Sequence, residues 1–218
     1  MTDSSARELA ALLEMLQGLK LLKRTGWVDR GVPLAEVESV ADHTLLTALL
    51  AWLAALDHPG LDATRVLKLA VVHDLAESLV GDAPPYAAAD VPPATDHDAF
   101  RAFFGERHVR PTEAKRAKHE AETSAFGLLA SRMGPNARRE LTALWDEYEH
   151  GETAEAHFVK EADTLEAYLQ SRHYAAAHPE IPLRGFCLMA DEELELSTFT
   201  ALRDAARKGE TSEPGSDS

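Results

Sequence analysis

The residues of this chain best suited to chemistry lie in the segment VVHDLAESLVGD, residues 71–82. His73 and Asp74 are adjacent, Glu77 follows one helical turn after His73, and Asp82 closes the segment. Ionisable groups beside an apolar helical pattern cost several kcal/mol unless they are paired or bind an ion. Imidazole and carboxylate are suitable ligands for a divalent transition metal. The segment therefore indicates a candidate metal site.

Two more ionisable residues stand where the hydrophobic pattern predicts core. His43 lies in SVADHTLLTALLAWL, residues 39–53, and Asp163 lies in HFVKEADTLEAYL, residues 157–169. Each by itself is more typical of a satisfied core or boundary residue than of a ligand. Together with His73 and Asp74 they place four candidate ligands on three helices long enough to pack together.

The elements that must position these residues are helical nearly throughout, and no run of alternating β-branched residues is present. We predict one all-α domain over residues 1–206, with a polar tail at 207–218 that is disordered. The segment 83–98 is rich in Pro, Ala and Asp and is predicted to be a loop. The predicted helices span about 5–22, 39–57, 62–81, 99–106, 112–132, 136–150, 153–177 and 191–207. If 62–81 is one helix, His73, Asp74 and Glu77 lie on one side of it. The small residues Ala70 and Gly81 lie between them and leave room for a ligand.

Composition limits the classes of partner. The net charge of −15 argues against nucleic-acid polymers and anionic membranes as ligands. Residues 19–30 nevertheless hold four cations, Arg24 among them, against Asp29, so this segment is either a solvated helix end or a site for a small anion. The longest apolar run, residues 45–56, is too short to span a bilayer. No signal peptide and a single cysteine favour a cytoplasmic protein.

The order His43, His73-Asp74, Asp163 resembles the signature of the HD-domain metal-dependent phosphohydrolases. Further segments are similar to those of the HD-domain 5′-deoxynucleotidases, over about residues 10–175: RTGWVDRGV (24–32), ESVADH (38–43), LAVVHDLAESLVGD (69–82), LWDEYE (144–149) and FVKEADTLEAYLQ (158–170). Segment 83–112 looks longer than in such relatives, and the chain diverges after about residue 178.

This resemblance implies a helical bundle and a metal-dependent phosphomonoesterase that removes the 5′-phosphate of nucleoside monophosphates, with deoxyribonucleotides preferred. It implies a homodimer and one divalent ion, which could be cobalt, manganese, iron, zinc or magnesium, held by His43, His73, Asp74 and Asp163. Glu77 and Asp82 match a catalytic acidic pair, of which Glu77 would handle the proton of the attacking water. Arg24 matches a phosphate-contacting arginine, and Trp27 matches a tryptophan packed beside the ribose 2′ position.

Two alternatives stay open. One is another enzyme on the same scaffold: a hydrolase of triphosphates, cyclic nucleotides or alarmones, or a di-iron oxygenase. Dinuclear relatives need extra histidines between the His-Asp pair and the last Asp; His97, His108 and His119 lie there without the expected helix context, which favours one metal. The other is a non-catalytic binding module stabilised by its metal, against which the presence of Glu77 and Asp82 argues.

Overall fold

The computed structural model describes residues 3–208, with side chains from residue 6 onward, and it is all-α as predicted. Within that range the only β-type pairing is an antiparallel bridge between Lys23 and Ser39. The helices are α1 (Asp3–Leu16), α2 (Gly18–Leu21), α3 (Thr25–Asp29), α4 (Val40–Leu56), α5 (Ala63–Val72), α6 (Glu77–Val80), α7 (His97–Phe104), α8 (Thr112–Ser131), α9 (Pro135–His150), α10 (Ala154–Ala177), α11 (Arg184–Glu193) and α12 (Ser197–Lys208).

Helix α10 is the central element of the bundle, since it packs on α4, α5, α9, α11 and α12. Its buried positions include Phe158, Leu165 and Tyr168, none of which exposes more than 1% of its surface. Thr153 caps its start by accepting a hydrogen bond from the backbone N–H of Ala156. Asp163 therefore lies in the middle of a long, well-anchored helix.

Helix α4 begins with a capping box. The Ser39 hydroxyl accepts from the N–H of Asp42, and the Asp42 carboxylate accepts from the N–H of Ser39. Such caps stabilise a helix start by about 0.5–2 kcal/mol. They fix where the first turn begins, and this turn carries His43 into the core with no exposed surface.

The prediction of one continuous helix over 62–81 is wrong. Helix α5 ends at Val72, and α6 begins at Glu77. Between them the backbone makes i to i+3 hydrogen bonds, from Leu75 N–H to the Val72 carbonyl and from Glu77 N–H to the Asp74 carbonyl. This tighter winding changes the directions of the side chains from those of an ideal helix. The polar residues of 73–77 are therefore not arranged around Ala70 and Gly81 as one continuous helix would place them.

The ends of the chain also differ from the prediction. In place of one helix over 5–22, α1 and α2 are separated at Gln17, and α3 forms between residue 22 and α4, where no helix is predicted. The helix predicted over 191–207 is two helices, because α11 and α12 are joined by a bend at 194–196. Residues 207 and 208 belong to α12, so the predicted tail boundary falls within a helix. Residues 209–218 lie outside the described part of the chain.

Within the described residues, no helix is long and apolar enough to cross a membrane.

Candidate metal centre and its cavity

The four predicted metal ligands come together at one point of the bundle. His43 Nε2 lies 3.0 Å from Asp163 Oδ1 and 3.8 Å from Asp74 Oδ2. His73 Nε2 lies 3.1 Å from the same Asp74 oxygen. One ligand atom from each of His43, His73 and Asp163 lies within 4.8 Å of the others. Residues from α4, the α5–α6 turn and α10 are thus within the span of a single ion.

Three of these ligand atoms lack a hydrogen bond. His43 Nε2, His73 Nε2 and Asp74 Oδ2 are buried and have no hydrogen-bond partner among the described residues. Buried polar atoms are almost always paired in folded proteins, because an unpaired one costs about 1–3 kcal/mol. A mixed set of imidazole nitrogens and carboxylate oxygens is the donor set of divalent transition metals. The unpaired atoms therefore fit a bound cation.

The opposite nitrogen of each imidazole has a buried acceptor. His73 Nδ1 lies 2.6 Å from the carbonyl oxygen of Ala70, and His43 Nδ1 lies 2.5 Å from Oε2 of Glu166. An acceptor at Nδ1 keeps the proton there and leaves the lone pair of Nε2 available to a metal. Sequence reasoning missed Glu166, although its position three residues after Asp163 on α10 was a usable signal.

Glu38 extends this buried network. Ligand atoms of Glu38, His43 and Glu166 form a second group within 4.8 Å of one another, and all three residues are buried. Burial, together with the nearby charge of Glu166, raises the pKa of Glu38 to about 7. Trp27 donates its indole N–H to Glu38 Oε1 over 2.8 Å. The network therefore runs from Trp27 to the candidate ligand His43.

Trp27 occupies the cavity wall, where it is 1% exposed. Its ring stacks on Phe186 with centroids 4.2 Å apart and meets Tyr174 edge to face at 5.2 Å. Together with its bond to Glu38, these contacts describe a fixed core side chain. Any contact with a ligand is limited to the small edge that remains accessible.

Arg24 and Asp82 are brought beside the cluster by the turn after α6. Gly81 has φ of +84°, a conformation that glycine adopts without strain, and it reverses the chain so that Asp82 reaches α3. The Asp82 carboxylate accepts from the N–H of Thr25 at 2.5 Å. Arg24 Nη1 lies 3.5 Å from Asp82 and 3.7 Å from Asp74, and these carboxylates hold the pKa of Arg24 above its ordinary value although burial acts in the other direction.

Glu77 is almost enclosed, with 3% exposure and an unpaired Oε2, although it lines the cavity. Burial, Asp74 and Asp82 raise its pKa to about 10. Its Oε1 lies 3.8 Å from Nζ of Lys118, which also forms an ion pair with Glu122. Both residues on α8 were missed by sequence reasoning. A cation near Glu77 favours the ionised form that a general base requires.

The cluster opens into a cavity of about 730 Å³, within the size range of small-molecule sites. Tyr148, from the LWDEYE segment, lines it and meets His73 edge to face at 5.6 Å. The predicted loop 83–98 contributes Pro84 and Pro85 to the wall, and residues 106–110 after α7 continue it. Of the four cations in segment 19–30, only Arg24 and Arg30 line the cavity, and Arg30 packs between the rings of Phe104 and Phe186.

The three histidines considered for a second metal are placed differently from one another. His97 begins α7, and His108 lines the cavity with Nε2 at 2.9 Å from the Phe103 carbonyl oxygen. His119 lies on α8, lines the same cavity and meets Glu149 Oε2 at 2.6 Å. His97 and His119 therefore both lie in helices, which differs from the expectation, although His119 meets Glu149 and not the four-residue cluster.

Comparisons with known proteins bear on this site. A family model described as HD domain matches residues 16–187. The 5′-deoxynucleotidase HDDC2 of Xenopus laevis is 36% identical over 172 residues, which are 79% of this chain and 72% of that protein. The human 5′-deoxynucleotidase HDDC2 is 36% identical over 169 residues, 78% of this chain and 69% of that one. A solved structure of a conserved hypothetical protein from Pyrococcus furiosus aligns with a TM-score of 0.64 and 26% identity, covering 93% of this chain and 99% of that chain.

Proposed function

Because this chain belongs to the HD-domain family, we propose that it is a metal-dependent phosphomonoesterase that removes the 5′-phosphate from nucleoside monophosphates. The relatives named 5′-deoxynucleotidase support this activity, with deoxyribonucleotides as the preferred substrates. The observation that carries the proposal is the set of unpaired ligand atoms of His43, His73 and Asp74, with the guanidinium of Arg24 beside them. A site for a cation lies next to a site for an anion in one cavity, and this combination is suited to binding a phosphate ester.

His43, His73, Asp74 and Asp163 would hold one divalent ion. Such an ion supplies positive charge at the phosphoryl oxygens and lowers the pKa of water, the two effects that phosphate ester hydrolysis needs. The donor set is compatible with cobalt, manganese, iron, zinc and magnesium, although imidazole donors favour the transition metals. In this proposal His119 and His108 are not ligands, since each has a partner of its own.

Arg24 would bind the phosphate of the substrate. Its guanidinium has one edge directed at Asp74 and Asp82, and it lines the cavity. A planar guanidinium can donate two parallel hydrogen bonds to phosphate, so Arg24 fixes orientation as well as neutralising charge. The anchoring of Asp82 by the Thr25 N–H suits a role in positioning this arginine.

Glu77 would accept the proton of the attacking water. It lines the cavity one turn from His73, and Lys118 lies near enough to stabilise its carboxylate. Burial raises the pKa of Glu77 to about 10, so the neighbouring cations, Lys118 and the ion that the four ligands would hold, must lower that pKa for the carboxylate to act as a base near neutral pH. The unpaired Oε2 is available to hydrogen-bond a water molecule.

We also propose a homodimer in the cytoplasm. Support for a dimer comes from a stripe on α4 that leaves large apolar side chains exposed: Leu45 at 60%, Leu49 at 39%, Leu53 at 55% and Leu56 at 59%. Contiguous exposed apolar surface of this kind is typical of interfaces. Light scattering of Leu49→Lys/Leu53→Lys should give a monomer, whereas Leu34→Lys, an exposed leucine elsewhere, should not change the mass.

The test of the function is phosphate release from dAMP, dGMP, dCMP, dTMP and AMP by protein loaded with each candidate metal, with and without a chelator. Release from the deoxyribonucleotides that the chelator abolishes is expected. Arg24→Gln should raise KM for dAMP, whereas Arg116→Gln, on the outer side of α8, should not. Hydrolysis of dATP or a cyclic nucleotide in place of every monophosphate would contradict the proposal.

A further inference from the structure

Three lysines line the cavity from two helices. Lys115 and Lys118 are one turn apart on α8, and Lys160 is one turn before Asp163 on α10. In a chain of net charge −15, these lysines line a cavity together with several carboxylates and arginines. The activity proposed above uses Arg24 as its phosphate ligand and gives Lys115 and Lys160 no role.

The three lysines differ in what compensates their charge. Lys118 has carboxylate partners in Glu122 and Glu77. Among the described residues Lys115 has no ion-pair or hydrogen-bond partner, and Lys160 has no carboxylate in an ion pair. Nζ of Lys160 lies 3.4 Å from the carbonyl oxygen of Glu149 and 5.3 Å from the centre of the Tyr148 ring. Two lysines at the cavity thus hold positive charge that no acidic side chain neutralises by direct contact.

These two ammonium groups also repel one another. Burial lowers the pKa of Lys160; the charge of Glu149 opposes this, and the charge of Lys115 lowers the pKa further. Lys115 is exposed and Lys160 is half-buried, and an anion bound between two like charges relieves their repulsion. Three acceptor oxygens and a double negative charge make phosphate the anion best matched to two ammonium donors.

We propose that Lys115 and Lys160 form a second phosphate subsite, distinct from Arg24, on the α8 and α10 side of the metal cluster. It binds a phosphate dianion, which is either the orthophosphate released by hydrolysis or the additional phosphoryl group of a nucleoside diphosphate. The inference rests on the proposed function only in assigning the reacting phosphate to Arg24. The cavity volume of about 730 Å³ leaves room for a group beyond a nucleoside monophosphate.

The test compares two double variants that remove the same charge. Lys115→Gln/Lys160→Gln removes the subsite, whereas Arg116→Gln/Lys68→Gln removes two cations that lie outside the cavity in ion pairs with glutamates. Calorimetry with inorganic phosphate on the metal-loaded protein gives the dissociation constant. The subsite variant should weaken phosphate binding about tenfold, as expected for lost charge-assisted hydrogen bonds, and the control should match wild type. Both variants should keep the wild-type helical circular dichroism.

Kinetics distinguishes the two sources of the dianion. If the subsite holds released orthophosphate, the variant shows a raised inhibition constant for orthophosphate and an unchanged ratio of kcat/KM for dADP over dAMP. If it holds a second phosphoryl group, that ratio falls. An unchanged phosphate dissociation constant in the subsite variant, or an equal loss in the control, overturns the proposal.

The calorimetric result does not depend on turnover. Protein that hydrolyses no monophosphate, but whose phosphate affinity still falls on substitution of Lys115 and Lys160, would refute the proposed function and leave the second subsite standing. Protein that hydrolyses dAMP, but whose phosphate affinity does not change on substitution of Lys115 and Lys160, would support the proposed function and overturn the second subsite.

Discussion

His43 Nδ1 and Glu166 Oε2 lie 2.5 Å apart in the core, at 0% and 4% exposure. The carboxylate holds the imidazole so that Nε2 is directed at Asp163, 3.0 Å away. Burial and the charge of Arg24 act to lower the pKa of His43, but the nearby carboxylates of Asp163 and Glu166 outweigh them and raise it to about 10. A proton on Nε2 would compete with a metal ion for the same lone pair.

The Glu166 contact predicts an effect on metal affinity. Glu166→Gln keeps the shape of the side chain but removes the charge that orients and polarises His43, so the metal dissociation constant should rise about 10–100-fold. Competition with a chromophoric chelator measures it. Glu155→Gln, on the first turn of the same helix, is the control and should keep wild-type affinity. Equal affinity in Glu166→Gln would mean that the contact is only structural.

Loss of a ligand should empty the site. Elemental analysis of His73→Ala and Asp163→Ala is expected to show less than one metal per chain after dialysis, while His157→Ala, an exposed histidine on α10, should retain it. Since binding energy is also folding energy, wild type treated with a chelator should melt at a lower temperature, and the two ligand variants should lose that shift. Full metal retention in both variants would contradict the assignment of His73 and Asp163 as metal ligands.

Glu77 should act in turnover and not in metal binding. Glu77→Gln is expected to keep its metal and to bind dAMP, yet to lose roughly 10²–10⁴-fold in kcat, the usual scale of general acid–base catalysis. Steady-state kinetics beside elemental analysis separates the two effects. A variant with normal kcat, or one that loses its metal, would contradict the role.

Glu77 should also set a pH dependence of stability in chelator-treated protein. Its pKa in the folded chain is raised to about 10 from an ordinary value of 4.5, so between these pH values the folded state holds a proton that the unfolded state has released. The contribution of Glu77 to the free energy of unfolding therefore falls as pH rises from 4.5 to about 10. Glu77→Gln should raise the melting temperature relative to wild type more at pH 8 than at pH 5. An equal difference at both pH values would show that the carboxyl group titrates normally.

We predict that Trp27 is the residue that selects against ribonucleotides. If the indole excludes a 2′-hydroxyl, trimming it should raise kcat/KM for AMP more than it lowers kcat/KM for dAMP. Trp27→Ala removes a core ring and should cost about 3–5 kcal/mol of stability, so Trp27→Phe is the better-folded companion. The dAMP to AMP ratio in wild type and both variants is the measurement. A wild-type ratio near one, or equal losses for both substrates, would make Trp27 a packing residue.

The sequence by itself determined the fold class and pointed to the residues that converge as candidate ligands. Helical periodicity shows which residues must be buried, and an ionisable residue such as His43 or Asp163 stands out on an apolar face. The helix starts predicted near residues 39 and 153 lie within one residue of the observed starts, where Ser39 and Thr153 cap α4 and α10. These features are local, because each depends on residues within a turn or two of one another.

Tertiary structure decided everything that depends on which helices face each other. The break at residues 73–76 contradicts the local pattern, since the packing of α5 and α6 against different neighbours overrides helical propensity. Lys118 and Lys160 are ordinary helix-surface residues by sequence, and only the packing of α8 and α10 around one cavity directs them to the same space. Glu166 became a partner of His43 because α4 and α10 are in contact across 123 positions of chain, a separation over which periodicity carries no information.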